Sequence, residues 1–147
     1  MPHSLSLAAA TILLAAAATL PAHAADPCTF LTTAQVTTAM GIPVNDGTPG
    51  PKNCVWHAIK SNSNLYLTLR DGATYSTFKS QVQATGHASP VTGIGDDAFF
   101  MAGGESSALY VLKGSQILLI IARVAGNTVA QNQAIEKAIA TQAIGKL

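Results

Sequence analysis

Residues 108–123 read ALYVLKGSQILLIIAR, and the two runs on either side of Gly114-Ser115 decide the fold class. A two-residue connection with glycine first is hairpin chemistry, because the twist of paired strands favours turns that begin at positive φ. The second run is continuously apolar over 117–121. Five such residues are far fewer than the roughly 20 a bilayer span needs, and they fit a central strand covered on both faces. The pattern predicts strands over 108–113 and 116–123.

Working outward, residues 98–101 form a further predicted strand, set off by Gly103-Gly104. Two more are predicted over 54–59 and 65–70, joined through the polar turn Ser61-Asn62-Ser63-Asn64. In the second of these Leu65, Leu67 and Leu69 alternate with Tyr66, Thr68 and Arg70, giving one buried and one partly polar face. Pro43, Asn45-Asp46-Gly47 and Pro49-Gly50-Pro51 make residues 42–53 a loop on turn chemistry.

Three helices complete the set. Over 31–41, Thr32 and Gln35 have the spacing of a capping box, Leu31 and Val36 that of a hydrophobic staple, and Gly41 ends the run. Over 74–84, Tyr75, Phe78 and Val82 share a face and Gly86 stops the pattern. The last helix starts at an Asn127 cap and runs to about residue 144, with Ala134, Ile135, Ala138 and Ile139 inward and Gly145 as its stop. The order α-β-β-α-β-β-β-α predicts an α+β fold, a mostly antiparallel sheet packed by helices. No repeat or linker divides residues 25–147, which are expected to form a single domain.

The first 24 residues have a different character. An Ala/Leu-rich core over 5–20 is followed by Pro21 and Ala22-His23-Ala24, the apolar region and small-x-small cleavage site of a secretory signal. Its amino-terminal region carries no Lys or Arg, only His3. A signal peptide over 1–24, an exported mature chain that is periplasmic or secreted, and no stable membrane span after cleavage are the expectations. All eight Lys/Arg and all seven Asp/Glu lie beyond Ala24, and the formal net charge is +1. Such a scattered balance creates no field that would steer nucleic acid or an anionic membrane.

Export makes an oxidised pair the default state of Cys28 and Cys54. Closing 26 residues contributes about 3 to 4 kcal/mol in the chain-entropy treatment. Lipidation of Cys28 is the competing reading, but Ala25-Asp26-Pro27 is not a lipidation box. Trp56 shares the Cys54 face of a strand and is expected to pack on the disulfide.

Candidate chemistry is sparse. Beyond residue 24 the only neutral-pH acid/base groups are His57 and His87. Asp96-Asp97 lacks the alternating spacing of a calcium loop and reads as a turn feeding the next strand. Cys54-x-x-His57 has a zinc half-site spacing, yet on a strand its ends face opposite sides. Ser106 and Ser107 lie in no nucleophile elbow. Gly93-x-Gly95 lacks the third glycine and the following helix of a phosphate cradle. Tyr75 and Phe78 read as core. No metal and no cofactor is expected.

Several motifs together resemble a family. Asp26-Pro27-Cys28-Thr29-Phe30-Leu31-Thr32, Cys54-Val55-Trp56, Gly93-Ile94-Gly95-Asp96-Asp97-Ala98 and Leu109-Tyr110-Val111 before a glycine turn follow in order along most of residues 25–147. They are similar to small exported actinobacterial cell-envelope domains of unknown function. In those, an Asp-Pro-Cys start precedes a Cys-x-Trp strand and a Gly-Leu-Gly-Asp turn. The resemblance implies a cell-envelope protein with Cys28 joined to Cys54, and no reaction. Many such domains are lipoproteins, and the sequence departs from them at Cys28.

The function expected is a non-enzymatic binding or interaction domain for an envelope protein or a small ligand, with Tyr66, Thr68 and Arg70 as contact surface. One alternative is a small exported hydrolase using His57 or His87 with Asp96 or Asp97. The other is an inhibitor or sensor of another envelope protein.

Overall fold

The structure is a computed structural model and describes residues 25–147. The signal-peptide reading of residues 1–24 therefore lies outside the described residues.

A short 3-10 turn at Pro27–Thr29 leads into helix α1, Thr33–Met40. The capping box is in place: the Thr32 Oγ1 accepts from the Gln35 N–H, and Gln35 Oε1 accepts from the Thr32 N–H at 2.8 Å. Strands β1 (Thr48–Pro49), β2 (Asn53–His57) and β3 (Asn64–Asp71) follow. Helix α2, Tyr75–Ala84, comes next. Then come β4 (Ala88–Val91), β5 (Asp97–Gly103), β6 (Ser106–Lys113), β7 (Gln116–Arg123) and helix α3, Val129–Ala143.

All seven strands form one sheet in the order β1-β2-β3-β7-β6-β5-β4, and every pairing is antiparallel. The α+β class holds, and β7 is the middle strand, as its unbroken apolar run requires. Lys113 pairs with Gln116 across Gly114-Ser115, with Gly114 at φ 56°.

Two strands were not legible. β1 has two exposed residues inside a Pro/Gly loop, and β4, with Pro90 at its centre, is an edge strand, the place where a missing N–H costs no ladder bond. Thr128, not Asn127, caps α3, in a second capping box with Gln131.

The sheet has a core on each face. Alternation puts Cys54, Trp56, Leu65, Leu67, Leu109, Val111, Leu118 and Ile120 on one side, where α1 contributes Val36 and Met40 and α3 contributes Ile135, Ile139 and Ala143. On the other side Phe99, Tyr110, Ile117 and Leu119 meet Tyr75 and Val82 of α2. There Phe99 stacks on Tyr110 at 5.2 Å, and Phe78 tilts against Tyr110 at 5.0 Å. Helix α2 lies against β4 and over the β5, β6 and β7 residues of this cluster.

Cys28 and Cys54 are disulfide-bonded, with Cα atoms 5.0 Å apart. Cys54 and Trp56 are 0% and 1% exposed on the same face of β2. Gly47 comes so close that a Cβ there would lie 2.8 Å from the indole Cε2 and overlap the Cys54 sulfur. No described helix is long and apolar enough to cross a membrane.

Candidate functional site

The sheet is forked. The β6–β7 register runs from Lys113 and Gln116 to Leu109 and Ile120 and stops. Beyond it β6 continues along β5 as far as Ser106 opposite Gly103, while β7 continues along β3 as far as Arg123 opposite Asn64. The two halves of the sheet part at this end, and side chains replace the missing ladder.

Four polar side chains are buried among the described residues: Ser63, Ser107, Asn132 and Glu136. Ser107 and Glu136 occupy the gap of the fork, and Asn132 and Ser63 hold the chain just past β7. The N–H of Ala122 donates to Glu136 Oε1 at 3.0 Å, that of Val124 to Asn132 Oδ1 at 3.4 Å, and that of Ala125 to Ser63 Oγ at 2.9 Å. Ser107, across the gap on β6, donates to both Glu136 oxygens at 3.1 and 3.0 Å. The chain leaving β7 is thus held by three fixed acceptors, which satisfies backbone groups that would otherwise be buried without partners.

Glu136 is 0% exposed and has no ion-pair partner among the described residues. Burial pushes its carboxyl up to about 7, against the opposing pull of the hydrogen bonds from Ala122 and Ser107. Ala134 and Ala138, expected to face inward, are both exposed. The buried stripe is instead Asn132, Ile135, Glu136, Ile139, Ala140 and Ala143, a helical spacing that passes through a charged residue. That spacing was the available signal, and the two alanines beside the isoleucines masked it.

Two hollows open at the fork. One, of about 450 Å³, lies on the α2 side; Val82, Met101, Ala108 and Ile121 line it, with His87 and Arg123 also on its wall. The other, of about 640 Å³, is polar, with Glu105, Asn127, Thr128 and Asn132 among its lining. Ser106 and Arg123 belong to both. The Arg123 guanidinium carbon stands 6.0 Å from the centroid of the Tyr66 ring, within range of a cation–π contact.

The residues expected at a contact surface are distributed along β3. Tyr66 and Thr68 are half-buried on the part of the α2-side face beyond the helix, and Tyr66 reaches the fork through Arg123. Arg70 lies toward the opposite end of β3, beside a separate hollow lined by Phe78 and Tyr110.

The hydrolase residues are not brought together. His57 pairs with Asn64, and the His87 carbonyl accepts from Ala102, both at the forked end. Asp97 pairs with Leu112 at the other end. Five residues of strand separate Asp97 from the Ala102 level, about 17 Å at strand rise. Each aspartate has its own cation: Asp97 takes Lys79 of α2 at 2.6 Å, and Asp96 takes Lys113 at 3.0 Å and the Gly114 N–H at 2.6 Å. Cys54 and His57 face opposite sides of β2, one buried in the disulfide and one exposed. Among the described residues no three His, Cys, Asp or Glu side chains are grouped to hold a metal ion.

Compared with known proteins, the chain matches no protein-family profile, no curated protein and no solved structure.

Proposed function

We propose that this chain is an exported, non-enzymatic binding domain, periplasmic or secreted, and that a small ligand enters the fork between β6 and β7 from the α2 side. The observation that carries this reading is that the fork is built: the buried Glu136 carboxylate stands between Ser107 of β6 and the Ala122 N–H of β7, where the ladder has stopped, and a hollow with an apolar wall opens beside it on the other face. A sheet gains hydrogen bonds and apolar burial by closing such a gap, so a gap fixed by dedicated acceptors favours a role for the space it leaves. Its volume and mixed lining suit a small molecule. The disulfide supports an oxidising compartment. The strand-length separation of both histidines from Asp97 counts against the hydrolase alternative.

The test is a fragment library screened by methyl resonances. Hits should cluster on Met101, Ala108 and Ile121. Hits that instead gather along Thr68 and Arg70, away from the fork, would move the function to the sheet surface and remove the fork from it.

A further inference from the structure

We infer that the ligand of the fork is an amphiphilic monoanion, a medium-chain aliphatic carboxylate whose tail lies in the α2-side hollow and whose head is met by Arg123. This rests on the binding reading above and adds the chemical class. Val82, Met101, Ala108 and Ile121 give the hollow an apolar wall contributed by α2, β5, β6 and β7. The charged or titratable residues that line it are Arg123 and His87; no carboxylate does. Arg123 has no carboxylate within ion-pair distance among the described residues, and its guanidinium stands over the Tyr66 ring. A guanidinium at cation–π distance from a ring has its N–H groups still free, and these can take a carboxylate by two parallel bonds. His87 and Ser106 also line this wall, the Ser106 hydroxyl donating to the Gly103 carbonyl at 3.1 Å.

Charge complementarity sets the sign of the ligand and the apolar wall sets its body. The alternatives differ in what they would leave unmatched. A cationic amphiphile would place its head against Arg123, and a neutral one would leave the guanidinium without an anion. At about 450 Å³ the space is in the range of small-molecule sites, which keeps the tail to medium length. The polar hollow on the other side of the fork carries Glu105, so an anionic head is favoured at Arg123 and disfavoured farther along.

The experiment uses three ten-carbon probes at submicellar concentration, decanoate, decanol and decyltrimethylammonium, followed by the methyl resonances of Met101, Ala108, Val82 and Ile121. Decanoate should shift these saturably and bind more tightly than either of the others. Arg123→Gln should weaken decanoate by about tenfold or more and leave decanol unchanged, the size expected for a charge-assisted pair. Equal affinity for decanoate and decanol, or indifference to Arg123→Gln, overturns the anion assignment while the fork stands as a binding site. If none of the three shifts these methyls, the fork is not the site and both readings fail.

Discussion

Glu136 and Ala122 are joined by a 3.0 Å hydrogen bond from a strand N–H to a fully buried carboxylate, two positions past the last β6–β7 pair. The bond ties the middle of α3 to the exit of the central strand. Its energetics depend on protonation, because burial holds the Glu136 carboxyl at about 7, well above its ordinary value of 4.5. An acid whose folded-state value is raised binds a proton more tightly when folded. Stability is therefore full below pH 4.5, falls as pH rises toward 7, and then levels; the span is about 3 kcal/mol. Glu136→Gln keeps an acceptor for Ala122 and removes the ionisation. Urea unfolding from pH 4.5 to 8 should show this decline in the parent chain and lose it in the variant. Parallel pH profiles would mean that Glu136 titrates normally.

Ser107→Ala removes one donor from the same carboxylate. At pH 8 it should destabilise by about 1 to 3 kcal/mol, the range for an ionised group losing a buried partner, and by less at pH 5. Chemical denaturation at the two pH values checks the difference; an equal loss at both would assign the effect to packing alone.

The disulfide closes 26 residues. Cys28→Ser with Cys54→Ser should lower stability by about 3 to 4 kcal/mol, and reduction of the parent chain should reproduce the loss. The urea midpoint with and without reductant is the measurement.

Gly47→Ala tests the packing of Trp56 on the cystine. The added methyl meets the indole at 2.8 Å and the Cys54 sulfur more closely still, and Trp56 is too well enclosed to move aside. A loss of about 1 to 3 kcal/mol is expected, together with a changed Trp56 fluorescence maximum. Unchanged stability and emission would place the loop farther from the ring.

Asp96→Ala should speed hydrogen exchange at the Gly114 N–H, whose acceptor is Asp96. The bonds from Gly114 and Lys113 hold the Asp96 carboxyl below its usual range, so this protection belongs to the ionised form and is lost as pH falls through that depressed value. Exchange at Gly114 that ignores both the substitution and acid would show the turn to be held by the ladder alone.

The parts of the fold that local rules decide were legible. The Thr32 capping box, the Gly114-Ser115 hairpin, the central position of β7, the face shared by Cys54 and Trp56, and the cystine itself each follow from spacing or compartment. The candidate site was not legible, for a physical reason. A forked sheet is a tertiary event: nothing local to residues 120–125 announces that β6 will stop pairing there, because Ala122 and Val124 are ordinary strand residues. The acceptors that replace the ladder come from Ser63, Asn132 and Glu136, distant in sequence. A glutamate in a helix is ordinarily a surface residue, and only the donors that Glu136 meets offset its burial. Edge strands β1 and β4 were hidden because none of their side chains is fully buried and neither carries a period.

The topology also imposes an order of assembly. Cys28 and Cys54 both precede β3, whereas the partner that completes β3, the central strand β7, lies some 45 residues farther along the chain. The amino-terminal turn can thus be tied to β2 before the far half of the sheet has joined. The later meander then adds to a template whose amino-terminal segment is already tied to β2; the cystine leaves the β3–β7 loop itself unchanged and removes the freedom of the segment ahead of it. A chain that reached β7 unlinked would have to find that pairing with its amino-terminal segment still free. The cystine would act on the rate of folding as well as on its depth, and refolding with the bond intact should outpace refolding of the reduced chain.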